Sequence, residues 1–266
     1  MSPIQQQPSN RPSFDDIVHN AQRRLAESGA SPMSWDTTLA ARQYRPLFDE
    51  LSRYRSWNSA EPQQLLDWGA GRGIQMGVAA DLGYNVTGLE FKSPELMSSL
   101  RLEFGERIAV QVIDEPRRLP FDDATFDVVL SMGVLEHVRE TGGTEAASLA
   151  EITRVLRPGG KFICLHFPQS TSWVEFFARH LHLPIHHHQY RYSVSDVEAI
   201  MATVTPLRTE RQWRYGFLPR NQAARAFRAF SNNPRFANAF DRTDAALSRA
   251  LPIFCTNHGF VATSPT

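Results

Sequence analysis

The chain has 266 residues, 42% of them hydrophobic, with 28 basic and 28 acidic side chains and a formal net charge of zero. That length buries a sizeable core and suits one α/β domain with additions, while the balanced charge excludes a bulk electrostatic pull toward nucleic acid or an anionic membrane. Cys164 and Cys255 make no disulfide framework, no apolar run nears the ~20 residues of a membrane span, and the polar start lacks a signal-peptide pattern, so a reducing, cytoplasmic location is the expectation.

Residues 1–12, rich in Gln, Pro and Ser, read as a disordered tail. Ser13 is placed to cap a helix over 14–28 whose apolar stripe is Phe14, Ile17, Val18 and Leu25. Gly29 to Pro32 breaks it, and a second helical segment covers 37–54. Residues 13–60 thus form an N-terminal helical region. From 61 onward strands and helices alternate. Strands are predicted at 64–68, 85–90, 108–113, 126–131 and 161–167. Between them come a helix carrying Ile74, Val78 and Leu82, one opened by Ser93-Pro94, and one ending at Arg157-Pro158-Gly159-Gly160. This rhythm predicts an α/β fold with a doubly wound, mostly parallel sheet. Beyond Pro168 a helix at 172–181, a histidine-rich stretch, a helix through Met201, a sixth strand at 207–217, helices over 220–250 broken near Pro234, and a last strand at 253–263 follow. Segments of about 169–195 and 220–250 read as insertions that cap the substrate side of a 61–266 domain.

The strongest local signal is Leu65-Leu66-Asp67-Trp68-Gly69-Ala70-Gly71-Arg72-Gly73. A strand ends in a glycine turn and a helix begins at once, offering unpaired amides to a negatively charged group. The spacing departs from the dinucleotide pattern G-x-G-x-x-G, because Gly73 comes one place early. Asp67 stands two residues before the turn, where it suits an ammonium group and repels a pyrophosphate. The second strand ends in Glu90, which suits the two hydroxyls of a ribose. A ligand with amino acid and nucleoside halves fits this set, and S-adenosyl-L-methionine is such a ligand.

Asp67-x-Gly69-x-Gly71-x-Gly73 resembles the first motif of the class I S-adenosylmethionine-dependent methyltransferases, and Glu90 matches their ribose-binding acid. Residues 119–129, Ser131-Met132-Gly133-Val134-Leu135-Glu136-His137-Val138 and Leu156-Arg157-Pro158-Gly159-Gly160-Lys161-Phe162 are similar to later motifs in the same order. The likeness is to the small-molecule and ubiquinone-biosynthesis-like group and covers about 62–168. It implies a Rossmann-like, seven-stranded sheet whose last strand runs antiparallel between strands five and six, with N-terminal helices and a C-terminal helical cap. Cys164 and Cys255 would then sit on neighbouring strands, reduced. It also implies that Asp67 and the backbone of Gly69, Ala70, Gly71 and Gly73 hold the methionine end. Glu90 would hold the ribose, Phe91 would lie near the adenine, and Ser131 and Met132 would border the sulfonium. Asp114-Glu115-Pro116 takes the place of the family's acid beside the adenine, which makes Glu115 the candidate there, although Pro116 removes a backbone donor.

Methyl transfer by displacement at sulfur needs chiefly alignment and exclusion of water. A base is needed only for an acceptor proton that is hard to lose. His137, just past the fourth strand, and His166, in the fifth, are the candidate catalytic residues. His180, His182, His186, His187 and His188 have spacings at which a metal could be held, but neighbouring histidines need not converge and no Cys or clear Asp partner lies close in sequence, so no metal is assigned. The arginines of 220–250 read as a solvated face. Trp213, Phe217, Phe227, Phe230, Phe236 and Phe240 fit either a cap over an apolar pocket or a plain core. The resulting expectation is transfer to the oxygen of a small-molecule acceptor. Transfer to nitrogen or carbon, or a non-catalytic binding role, is the alternative. A nucleic acid substrate is disfavoured because no basic stripe is present.

Overall fold

The computed structural model describes residues 11–30, 35–115, 118–182, 188–203 and 207–265. Helix α1 (Phe14–Ser28) opens with a full capping box, Ser13 and Asp16 each bonding the other's backbone amide, and stops at Gly29 with φ 67°. Its apolar stripe is buried, and so is Arg24, 1% exposed, whose guanidinium meets Asp81 at 2.6 Å and Glu103 at 2.9 Å. Helix α2 (Thr38–Ala41), a 3-10 turn over Arg42–Tyr44 and α3 (Arg45–Tyr54) replace the single helix expected over 37–54. Pro46 explains the break, since it suits a first helical turn and cannot continue one.

The sheet follows. Strand β1 (Gln64–Trp68) leads through the glycine turn to α4 (Ile74–Asp81), then β2 (Asn85–Glu90), α5 (Met97–Phe104) and β3 (Ile108–Val112). Strand β4 (Phe126–Met132), α6 (Glu145–Val155), β5 (Leu156–Pro168), α7 (Trp173–His180) and α8 (Val194–Ala202) come next. Strand β6 (Arg208–Tyr215), α9 (Arg220–Ala226), α10 (Pro234–Ala250) and β7 (Asn257–Thr263) complete the order. The seven strands lie β3-β2-β1-β4-β5-β7-β6, with β1 to β5 parallel and β7 antiparallel to both neighbours. Both faces are covered. Leu65, Val128, Leu130, Ile163 and Val261 pack toward α1, α4 and α5. The alternating Leu66, Val129, Phe162, Cys164 and Phe260 face the apolar residues of α6 and α8. Strand order reverses at β1, between β2 and β4, so the crevice past the carboxyl ends of these strands is the ligand position in such sheets. Among the described residues no helix is long and apolar enough to cross a membrane.

Several expectations are corrected. Helix α5 starts at Met97 rather than at Ser93-Pro94, because the Leu96 amide bonds the Arg72 carbonyl and ties this stretch to the glycine turn. Arg157–Gly160 is not simply a helix stop. It belongs to β5, where Leu156 pairs with Phe126 and the Gly159 amide meets the carbonyls of Ser264 and Pro265. The last strand is shorter than 253–263, since residues 252–254 form a 3-10 turn. Cys255 therefore precedes β7 instead of lying on it, and Phe260 stands opposite Cys164. Both thiols are free and buried. Most of the expected tail lies outside the described residues, while its Arg11 sits 4.8 Å over the Trp57 ring.

Candidate active site

The glycine turn is held against the end of β2. The amides of Gly69 and Ala70 both donate to the Leu89 carbonyl at 3.0 Å. Gly69 has φ 80°, and a Cβ there would lie 2.4 Å from Val134 Cγ2, so neither the backbone nor the space admits a side chain. Glu90 closes the turn: its carboxylate accepts from the Gly71 amide and from the Phe91 amide, each at 2.8 Å. Asp67, on β1, is 1% exposed, and its Oδ2 has no hydrogen-bond partner. Burial, with the Glu90 charge adding to it, pushes Asp67 up to about 7. A buried carboxylate without a partner is costly, and a ligand cation would offset that cost.

A cleft of about 370 Å³ opens beside this turn, lined among others by Gly69, Gly71, Glu90, Phe91, Met132 and His137. A smaller apolar hollow continues from it past Leu89, Phe91, Ile113 and Val138. The cleft thus gathers many of the residues singled out from the sequence. Asp67, Ala70 and Gly73 stand behind its wall, His166 lines the larger cavity described below, and Ser131 and Glu115 stand apart. Ser131 is fully buried on the same side of β4 as Val129 and lines neither cavity. Glu115 is exposed and borders a separate hollow with Arg118 and Phe121, which shares Ile113 with the apolar hollow. Pro116, His186 and His187 lie outside the described residues.

The structure adds residues that no motif marked. Trp35 and Tyr44 come from the N-terminal helices, stack at 4.5 Å and line the cleft. Arg72 lies within the glycine turn, binds Glu95 through Nε at 3.0 Å, and leaves both terminal nitrogens buried and without hydrogen-bond partners. Its position between Gly71 and Gly73 was the available signal.

On the far side lies a cavity of about 660 Å³ enclosed by α2–α3, β6, α9 and α10. Charged side chains are prominent in its wall, namely Arg42, Arg45, Arg214, Arg220, Asp241 and Asp244. Arg42 Nε, Gln43 Nε2 and Asn221 Oδ1, from residues of its wall, are buried without hydrogen-bond partners. The aromatic residues read as either a cap over an apolar pocket or a plain core do not line it, and Phe227 and Phe230 are about half exposed. A wall of rings separates cavity and cleft. His166 stands 6.0 Å from Tyr44 and 6.0 Å from Tyr215, and His137 stands 5.8 Å from His188, measured between ring centroids. His166 sits at a bulge of β5 with φ 57°, and its amide donates to the Tyr215 hydroxyl at 2.7 Å. Burial pushes its imidazole down to about 4, against a ring hydrogen bond to the Gln43 carbonyl.

Comparison with known proteins agrees with this geometry. Residues 66–164 match a family model described as a methyltransferase domain. The ubiquinone biosynthesis O-methyltransferase of Maricaulis maris is 30% identical over 112 residues, covering 39% of this chain and 40% of that one. The 2-methyl-6-phytyl-1,4-hydroquinone methyltransferase of Synechocystis sp. is 30% identical over 169 residues, covering 58% and 52%. The chain spans about half the length, or less, of the curated relatives it matches. In fold it is similar to the Burkholderia thailandensis 1,6-didemethyltoxoflavin-N1-methyltransferase solved with its substrate and S-adenosylhomocysteine, at TM-score 0.55 and 17% identity, covering 100% of this chain and 93% of that one. Over the matched stretch the chain is thus similar to methyltransferase domains, and its sheet order and fold are those of an S-adenosylhomocysteine-bound methyltransferase structure. Among methyltransferases the sequence likeness runs to enzymes of quinone biosynthesis.

Proposed function

We propose that the chain transfers a methyl group from S-adenosylmethionine to an oxygen of a polar small molecule held in the larger cavity. The observation that carries this reading is the buried Asp67, whose Oδ2 has no hydrogen-bond partner, on the strand that leads into the glycine turn, with Glu90 in the adjoining cleft. Asp67 would hold the ammonium group, and Arg72, with its buried terminal nitrogens, the carboxylate. Glu90 would exchange its amide bonds for ribose hydroxyls, and Phe91, Ile113 and Val138 would flank the adenine. When bound, the cofactor supplies an electrophilic methyl group on a positively charged sulfur.

The protein's own part is alignment and exclusion of water. Trp35, Tyr44 and Met132 wall the cleft against solvent. His166 stays neutral near pH 7 because of its burial, and with one ring nitrogen committed to Gln43 the other accepts a hydrogen bond. It would thereby hold an acceptor hydroxyl facing the cleft. Arg42, Arg214 and Arg220 favour an acceptor bearing hydroxyl or carboxylate groups.

The test is calorimetric titration of the protein with S-adenosylmethionine and S-adenosylhomocysteine, alongside Asp67→Ala and Glu90→Ala. Binding that weakens in both variants supports the reading and opens a screen of hydroxyl, amine and carbon acceptors. A folded protein that binds neither ligand at millimolar concentration refutes it.

A further inference from the structure

The charges around the larger cavity do not cancel. Each acid of its wall already has a basic partner. Asp241 lies 2.6 Å from Arg220 and 2.7 Å from Arg42, Asp49 lies 2.8 Å from Arg45, and Asp244 lies 3.5 Å from Arg220. Glu175 has His188 at 2.6 Å and Arg191 at 3.8 Å. The same pairs commit Arg42, Arg45 and Arg220. Two more arginines line the cavity, Arg214 on β6 and Arg249 in the last turn of α10. Neither guanidinium makes an ion pair or a hydrogen bond with any described residue.

Arg214 is half-buried and Arg249 is exposed. Opposite Arg214 in the sheet stands His258, and Cys255 lies in the turn before β7. Neither supplies a counter-charge: burial pushes the Cys255 thiol up and the His258 imidazole down, so both are neutral near pH 7. A guanidinium partly withdrawn from water without an anionic partner is costly, and an anion entering the cavity offsets that cost. The planar fork of arginine meets a carboxylate or a phosphate through two parallel hydrogen bonds. A solvated face does not account for Arg214, which sits in a strand between Trp213 and Tyr215 and borders a cavity together with Asn257.

Tyr215, the next residue of β6, supplies the other half of the recognition. Its hydroxyl accepts from the His166 amide at 2.7 Å, and burial pushes its ionisation up, so it keeps a proton to donate. The His166 ring, with one nitrogen given to the Gln43 carbonyl, accepts at the other. Both residues line the same cavity of about 660 Å³ as Arg214, so one small molecule can reach all three. Resting on the methyl-transfer reading, we propose that the acceptor is a small hydroxylated anion. Its hydroxyl lies between His166 and Tyr215, and its carboxylate or phosphate pairs with Arg214, with Arg249 adding positive charge from the exposed side. Arg42 and Arg220, neutralised by Asp241, remain hydrogen-bond donors to the rest of the molecule. A neutral acceptor would displace water from Arg214 and give it no partner in return, so charge selects the acceptor.

The experiment titrates the full chain, at constant ionic strength, with meta-hydroxybenzoate, meta-hydroxyphenyl phosphate and the neutral meta-hydroxybenzamide, binding being read by calorimetry. At least one of the two anions binds about tenfold or more tightly than the amide, and the tighter one identifies the anionic group. Arg214→Gln weakens that anion about tenfold and removes its advantage over the amide. Arg249→Gln weakens it about threefold, as an exposed charge does, and Arg225→Gln, an exposed arginine outside the cavity, leaves it unchanged. Absence of anion binding, an amide that binds as tightly as both anions, or anion binding that Arg214→Gln leaves intact overturns the proposal. Circular dichroism and a melting temperature equal to wild type show that the variants fold. S-adenosylhomocysteine is titrated separately: a protein that binds it but no anion loses only the acceptor class, whereas one that binds the anion and not S-adenosylhomocysteine loses the methyl-transfer reading.

Discussion

The cleft beside β1 and β2 is shaped mainly by backbone. Two amides converge on the Leu89 carbonyl, two more reach Glu90, and Gly69 leaves no room for a Cβ. The cavity beyond Tyr44 and His166 is shaped by side chains instead. Its arginines and acids come from α2–α3, β6, α9 and α10, and they are held by mutual ion pairs such as Arg220 with Asp241 at 2.6 Å and Arg42 with Asp241 at 2.7 Å. Backbone geometry commits a region to one kind of ligand, whereas a lining of side chains is retuned by single substitutions. The contrast suits a protein whose cofactor is fixed and whose acceptor varies between relatives.

Helix α1 packs on α4 and α5, the helices that follow the two strands of the cleft, and the largest effect is expected there. Arg24→Ala leaves Asp81, 7% exposed, without its buried partner, and a loss of about 3–5 kcal/mol in urea unfolding is expected. A loss below 1 kcal/mol would mean that apolar contacts alone join the helical region to the sheet.

Next in size is the pH dependence carried by Asp67. Its folded value of about 7 lies above its ordinary 3.8, so its contribution to the stability of the ligand-free protein is fully present below about 4 and is lost as pH rises through 7. Only the ionised form pairs with an ammonium, so affinity for S-adenosylhomocysteine should rise more than about tenfold between pH 5.5 and 7.5. Asp67→Asn should bind weakly with a flat profile while gaining thermal stability at pH 8 and none at pH 4. A steep profile in the variant would assign the titration elsewhere.

Arg214→Ala probes the other region. With S-adenosylhomocysteine affinity unchanged, the KM of an acidic acceptor should rise about tenfold, the usual effect of losing one charged hydrogen bond. Equal weakening of both ligands would show that the ring wall does not isolate the two cavities. The smallest effect is that of Phe91→Ala. Phe91 is 53% exposed, so truncation should cost about 1 kcal/mol, near fivefold in S-adenosylhomocysteine affinity.

The same contrast explains what the sequence disclosed. The Asp67 and glycine spacing was legible because turn geometry restricts residue type directly, and the strand rhythm was legible because both faces of the sheet demand apolar residues. Family likeness places Ser131 beside the sulfonium, while strand alternation puts it on the buried side of Val129. Arg24 was not singled out, since nothing in α1 announces that Asp81 and Glu103 will converge on it. The charged side chains in the wall of the larger cavity were not legible, because periodicity reports that a face is buried and not what faces it.

Strand β7 has a consequence for the order in which this molecule can be made. It is the last strand in the chain, yet it stands between β5 and β6, and β6 pairs with no other strand. Until residue 263 has left the ribosome, β5 carries an open edge and β6 has no place in the sheet. A nascent chain therefore waits with its central layer unfinished, and this interval, rather than any feature of the finished protein, is when it is most exposed to pairing with a neighbour.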